Sequence, residues 1–169
     1  MTHRRAVTIL LLGSLLCLMA LAATATSERG GNTSQVNRIR FEHVGLNVAD
    51  PVKAAQWYVD HLGMKILREG AAPANARFVA DADGNMMFEL YHNPPEAVPD
   101  YASMDPLMLH IAFLVDDVDA IRAKLLAVGA TAVGDVTVSP AGDRIAMLRD
   151  PWGLPIQFIR RANSMLSHK

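Results

Sequence analysis

FEHVGLNVAD (41–50) and LHIAFLVDD (109–117) repeat one pattern, a short β-like run that ends on an aspartate. Behind the first, residues 51–62 put Val52, Ala55, Val59 and Leu62 on one face at helical spacing and stop at Gly63. Behind the second, residues 118–128 do the same with Ile121, Leu125 and Val128 and stop at Gly129. Asp50 and Asp117 suit the N-cap, where a side-chain oxygen accepts from first-turn N–H groups that have no helical partner. Pro51 stands at the first helical position, where its missing N–H costs nothing. A glycine after each helix takes the left-handed cap without a Cβ clash.

The spacing between the copies is regular. His43 to His110, Gly45 to Ala112, Asp50 to Asp117 and Arg77 to Arg144 are each 67 residues apart, Gly63 to Gly129 is 66, and Glu89 to Gln157 is 68. Six landmarks within one residue of a common register mark an internal duplication. Further β-like runs follow each helix, near 64–68, 77–81 and 86–91 in the first copy and near 132–138, 144–148 and 156–160 in the second. Turn signals at Asp83-Gly84-Asn85 and Asp150-Pro151-Trp152-Gly153 divide them. The reading is two β-α-β-β-β units joined by the proline-rich stretch 92–106, an α+β fold.

Composition sets the bounds. The 169 residues are 51% hydrophobic and 20% charged, which excludes a disordered or collagen-like chain, and the formal net charge of -1 carries no basic footprint for nucleic acid. Residues 1–25 contain no acidic side chain. Arg4 and Arg5 precede an apolar run from 6 to 23, and Ala23-Thr24-Ala25 fits a small-x-small cleavage site. The expectation is a signal peptide over 1–25, or an N-terminal anchor that would be the chain's one contact with a membrane, and hence a periplasmic or secreted protein. A flexible tether follows over 26–37. A single domain then spans 38–162, made of modules 38–95 and 107–162, with a C-terminal tail over 163–169. Cys17 lies in the leader, so the exported domain has neither disulfide nor thiol ligand.

Strand alternation separates the chemistry from the core. Val44, Leu46 and Val48 fall on one face of the first run, with His43, Gly45 and Asn47 opposite. In the other runs the same alternation isolates His110 and Ala112, then Glu89 and Tyr91, then Gln157. Each of the four runs therefore offers one apolar face and one polar group: His43, Glu89, His110 and Gln157. Two imidazoles, a carboxylate and an amide oxygen form a ligand set for a borderline divalent ion such as Zn, Ni or Fe. Gly45 and Ala112 leave room beside the imidazoles. Arg77 and Arg144, at paired strand starts, are candidates for binding an anionic substrate group, and Tyr91 for lining the pocket.

At these residues the sequence resembles the vicinal oxygen chelate superfamily, which includes glyoxalase I, bleomycin-resistance proteins and extradiol dioxygenases. The resemblance runs through HVGLNVADPVKAAQWYVDHLGM, GNMMFELYHNP, LHIAFLVDDVDAIRAKLLAVGA and GDRIAMLRDPWGLPIQFI, nearly all of 40–160. It implies two tandem βαβββ modules forming a cup-shaped mixed sheet with the helices outside. It also implies a divalent ion (Zn, Ni, Mn or Fe) held by His43, Glu89, His110 and Gln157, which chelates vicinal oxygens of a small-molecule substrate. A homodimer is expected, with the site either within one chain or shared between two. One departure matters: where glyoxalase I has a second glutamate, this chain has Gln157, and a neutral amide accepts no proton at ordinary pH. The catalytic base then falls to Glu89. The resulting expectation is a metal-dependent lyase or isomerase of the glyoxalase type. A non-haem iron dioxygenase and a non-catalytic binding or resistance protein are the alternatives.

Overall fold

The computed structural model describes residues 40–93 and 98–165; the expected leader and tether, and the end of the tail, lie outside them. The first module contains β1 (Val44–Asn47), α1 (Pro51–Leu62), β2 (Lys65–Glu69), β3 (Arg77–Ala80) and β4 (Met87–Tyr91). Its sheet has the order β1-β4-β3-β2, with β1 parallel to β4 and the other pairs antiparallel. The second contains β5 (Ile111–Leu114), α2 (Val118–Leu126), β6 (Thr131–Ala132), β7 (Thr137–Val138), β8 (Arg144–Arg149) and β9 (Pro155–Arg160). Its order is β5-β9-β8-β6, with β7 also on β8 and β5 parallel to β9. The expected α+β class and tandem modules are present, as two mixed sheets, each backed by its own helix.

Local chemistry explains the elements. The Asp50 carboxylate accepts from Lys53 N at 3.0 Å and Asp117 from Ala120 N at 2.9 Å, so both N-caps are as expected. Gly63 closes α1 at φ 69°, a conformation that favours glycine. The second helix departs from the repeat. It ends at Leu126 with Ala127 as a right-handed cap, and Gly129 bends the chain two residues later at φ 100°. The single strand expected near 132–138 is instead β6 and β7, interrupted at Gly134, whose φ of 73° no extended strand accepts.

The apolar faces read from the sequence are the core. Leu46, Val79, Phe88 and Leu90 of the first sheet and Ile111, Leu148, Ile156 and Phe158 of the second are all buried. Aromatic rings join the modules: Tyr58 meets Phe88 at 5.6 Å between centroids, Phe88 meets Phe113 at 6.3 Å, and Phe113 stacks on Phe158 at 5.4 Å. The helix ends exchange hydrogen bonds in the 67-residue register. Trp57 Nε1 donates to the Val128 carbonyl at 3.0 Å, and Lys124 Nζ donates to the His61 carbonyl at 2.7 Å. The duplication is thus an approximate twofold in space as well as in sequence.

Arg149 holds the connecting segment, donating to the carbonyls of Tyr101 (2.6 Å), Met104 (2.6 Å) and Gly153 (3.1 Å). Gly153 has φ 88°, and a Cβ there would lie 2.7 Å from Ala102 N. Gly153→Ala is therefore expected to cost about 2 kcal/mol, from the left-handed backbone and the backbone collision together. A lower midpoint of denaturant unfolding at unchanged slope is the readout. Among the described residues no helix is long and apolar enough to cross a membrane.

Candidate functional site

β1 lies parallel beside β4 with Gly45 opposite Glu89, and β3 places Phe78 opposite Glu89 from the other side. Because Leu46, Phe88 and Leu90 turn inward, His43, Gly45, Glu89 and Tyr91 share the open face. His43 stands immediately before β1, where no ladder partner restricts its side chain. Its Nε2 lies 3.5 Å from Glu89 Oε2, with both side chains about one-third exposed (34% and 28%). Its Nδ1 hydrogen-bonds to the Glu42 carboxylate. The Glu42 hydrogen bond raises the imidazole above its ordinary pKa, and the charges of Glu42 and Glu89 add to it. Phe78 stands nearly perpendicular to the imidazole at 5.8 Å. Tyr91 covers the gap that glycine leaves, its Cε1 3.3 Å from where a Gly45 Cβ would lie.

The second module repeats the frame. Ala112 lies opposite Gln157 as Gly45 lies opposite Glu89, and His110 stands immediately before β5 as His43 stands before β1. His110 Nδ1 lies 3.1 Å from the Pro106 carbonyl, which only accepts, so Nδ1 is the donor in this bond and Nε2 is the nitrogen left for another partner. An imidazole whose Nδ1–H is tied to a carboxylate or carbonyl is set to ligate a metal through Nε2. Both histidines are held in that form. The donor set therefore fits a divalent ion in its chemistry.

In its assembly, the set comes as two halves. His43 and Glu89 meet on one sheet; His110 and Gln157 occupy the matching positions on the other. Among the described residues no three His, Cys, Asp or Glu side chains converge on one metal position, and His110 is not grouped with the His43–Glu89 pair. β1 and β5 are both edge strands and do not pair with each other.

Arg77 and Arg144 have partners within the fold. Arg77 Nη1 donates to the carbonyls of Gly70, Asn75 and Ala76 at 3.0–3.2 Å, and Nη2 lies 3.3 Å from Glu69. Arg144 grips Asp119 with two bonds of 2.7 Å, tying α2 to β8. That hydrogen bond holds the Asp119 carboxyl below the usual carboxylate range. Trp152 lines a small cavity of about 80 Å³ with Tyr58, Tyr101 and Asp150. Alternation overlooked Glu42, because it assigns neighbouring residues to opposite faces, a rule that applies only once the strand has begun at Val44. The available signal was the carboxylate directly before the first histidine, where the second copy has Leu109.

Comparison with known proteins agrees with this fold. Solved structures of similar fold include a glyoxalase family protein from Bacillus cereus (19% identity, TM-score 0.64, covering 76% of this chain and 99% of that one). A superfamily member from Sphaerobacter thermophilus matches at 19% identity and TM-score 0.59, covering 73% and 98%. TnmS3, an antibiotic binding protein from Streptomyces sp. CB03234, matches at 25% identity and TM-score 0.57, covering 74% and 100%. A search of curated protein sequences finds no match. The family model for the Glyoxalase/Bleomycin resistance protein/Dioxygenase superfamily matches residues 40–158, and the chain belongs to that superfamily.

Proposed function

We propose that the protein is an exported, metal-dependent lyase or isomerase of the glyoxalase type, active on a small compound with vicinal oxygens. We propose further that it is a homodimer whose sites each combine the first module of one copy with the second module of the other. The observation that carries the reading is the His43–Glu89 pair, 3.5 Å apart on an open face, with Nδ1 of both candidate histidines engaged so that Nε2 is left to ligate. His43, Glu89, His110 and Gln157 would hold the ion, which when bound acts as a Lewis acid toward the substrate oxygens. Glu89 is the one carboxylate of the four, so on leaving the ion it would take the proton from the hydroxyl-bearing carbon beside the substrate carbonyl and return it to the carbonyl carbon, while the hydroxyl proton passes to the former carbonyl oxygen. Gln157 supplies an amide oxygen and no base. Tyr91 walls the site beside Glu89.

Edge geometry supports the dimer. Among the described residues β1 and β5 each end their sheet, with the Asn47 carbonyl of β1 accepting from Tyr101 OH at 2.9 Å, and meeting edge to edge across a twofold would bring the two half-sites together. Leu107, Met108 and Leu114, which flank His110 in sequence, are 61–77% exposed, apolar surface that such a meeting would cover. The export reading rests on the sequence pattern of residues 1–25.

Hydrogen–deuterium exchange on hydroxyacetone, a compound with vicinal oxygens, followed by NMR tests the chemistry. The metal-loaded protein is expected to catalyse exchange beside the carbonyl and the chelator-stripped protein to lose it. Gln157→Glu, which adds a second carboxylate, is expected to raise the rate about tenfold. Absence of ion retention and of exchange would refute the enzyme reading. Binding without exchange would favour a second reading, a small-molecule binding protein, which the neutral Gln157 and the likeness to TnmS3 support.

A further inference from the structure

β2 is the outer strand of the first sheet, and its pairing with β3 is irregular: Ile66 pairs with Val79 and Arg68 with Phe78, so Leu67 is an extra residue. In a regular strand Arg68 would share the face of Ile66, which packs against the core, and Leu67 would stand opposite Phe78. The bulge reverses this. It leaves Leu67 61% exposed and carries the Arg68 guanidinium over the Phe78 ring, with Cζ 5.5 Å from the centroid. Bulges of this kind re-aim a side chain and are common beside functional sites.

Phe78 is the residue opposite Glu89 in the ladder and the ring that meets the His43 imidazole at 5.8 Å. Arg68 therefore lies on the face of the His43–Glu89 pair, one ring beyond it. Its acidic neighbour Glu69 is paired with Arg77 instead. Among the described residues no carboxylate reaches Arg68 within ion-pair distance, and its recorded contact is the Phe78 ring. Lys65, on the same strand, is bound to the Ala82 carbonyl at 2.8 Å. A guanidinium placed over a ring, with no carboxylate partner, keeps its N–H fork free for a planar anion.

We infer that Arg68 is the specificity residue of the site and that the substrate carries a carboxylate at the end remote from its vicinal oxygens. This rests on the metal-dependent reading above. The oxygens would lie at the His43–Glu89 end, and the carboxylate would cross Phe78 to the Arg68 fork. The carboxylates of Glu42 and Glu89 set the polarity, because they repel a substrate anion at the near end.

Calorimetry on the zinc-loaded protein with two probes tests this: acetohydroxamate, which has the oxygen chelate alone, and the monohydroxamate of succinic acid, which adds a remote carboxylate. The second is expected to bind about tenfold more tightly. Arg68→Ala is expected to erase that difference while leaving zinc content and acetohydroxamate affinity unchanged, and Arg68→Lys to keep part of it. Equal affinity of both probes for the wild type, or a preference that survives Arg68→Ala, overturns the role of Arg68 and leaves the metal reading standing. Failure of both probes to bind the zinc-loaded wild type overturns the metal reading, and this inference with it.

Discussion

His43→Ala and His110→Ala are each expected to lose the divalent ion, with affinity falling at least about a hundredfold and turnover following it to background. Removing an imidazole leaves too few donors to hold an ion against water, and neither histidine helps to fill the core: His43 is one-third exposed, and His110 precedes an edge strand. Both variants should therefore fold, with unchanged thermal unfolding of the metal-free protein. Their mixture is more informative than either alone. If sites are shared across a dimer, a heterodimer of the two variants has one site lacking both histidines and one with both intact. Random exchange of subunits then restores about a quarter of the wild-type sites. If each site belongs to one chain, every site in the mixture lacks one histidine and nothing returns. Elemental analysis and hydroxyacetone exchange after unfolding and refolding the two variants together read the result. Recovery near a quarter supports the shared site, whereas a mixture as inactive as its components refutes it.

The fold was legible wherever local chemistry repeated. Asp50 and Asp117 cap their helices as the sequence implies, and the strands turn their apolar sides inward because alternation leaves one burial choice per strand. The two candidate histidines and Gly45–Glu89 and Ala112–Gln157 take equivalent places because the 67-residue repeat is also a repeat in ladder register. What stayed hidden depends on contacts across sheets and on irregular backbone. Periodicity places a residue on a face but leaves open which faces meet, and so could not show that the four candidate residues fall on two separate sheets. Arg77 and Arg144 looked alike as free cations at strand starts. Their partners, the carbonyls of a loop and Asp119 of a helix, lie on elements that folding brings to them. Arg68 was hidden by the bulge, because plain alternation assigns it to the wrong face. Gly129 suggested a longer second helix, whereas the chain leaves the helix at Ala127 and uses the glycine for a later bend.

Asp150→Ala is expected to be the most damaging single change to stability, about 4 kcal/mol, through three donors left without a partner. The Asp150 carboxylate is 4% exposed. One of its oxygens accepts from Trp152 N and Leu154 N, both at 2.9 Å, and the other from Tyr58 OH at 2.8 Å. Tyr58 is fully buried on α1, so this bond ties the helix of the first module to the β8–β9 turn of the second. Burial pushes the Tyr58 hydroxyl well above its ordinary value, with the Asp150 charge adding to it, so it remains a donor throughout the working range. Tyr58→Phe is expected to cost less than Asp150→Ala, because it removes one of the three bonds and keeps the ring. The two losses should not add, since both variants break the same bond. Asp150→Asn supplies the pH test. Burial raises the Asp150 carboxyl above its ordinary 3.8, so as pH falls the folded state takes up this proton before the unfolded state does. The stability that wild type holds over Asp150→Asn should therefore grow as pH falls through the folded value, level off below about 3.8, and shrink as pH rises. Asp50, Asp119 and Asp143, all held below the usual carboxylate range, act in the opposite sense below that value, and they cancel because both proteins contain them. Urea unfolding of the pair across acidic and neutral pH measures the difference, and a gap that widens toward neutral pH would refute the account of a carboxylate whose charge is penalised by burial.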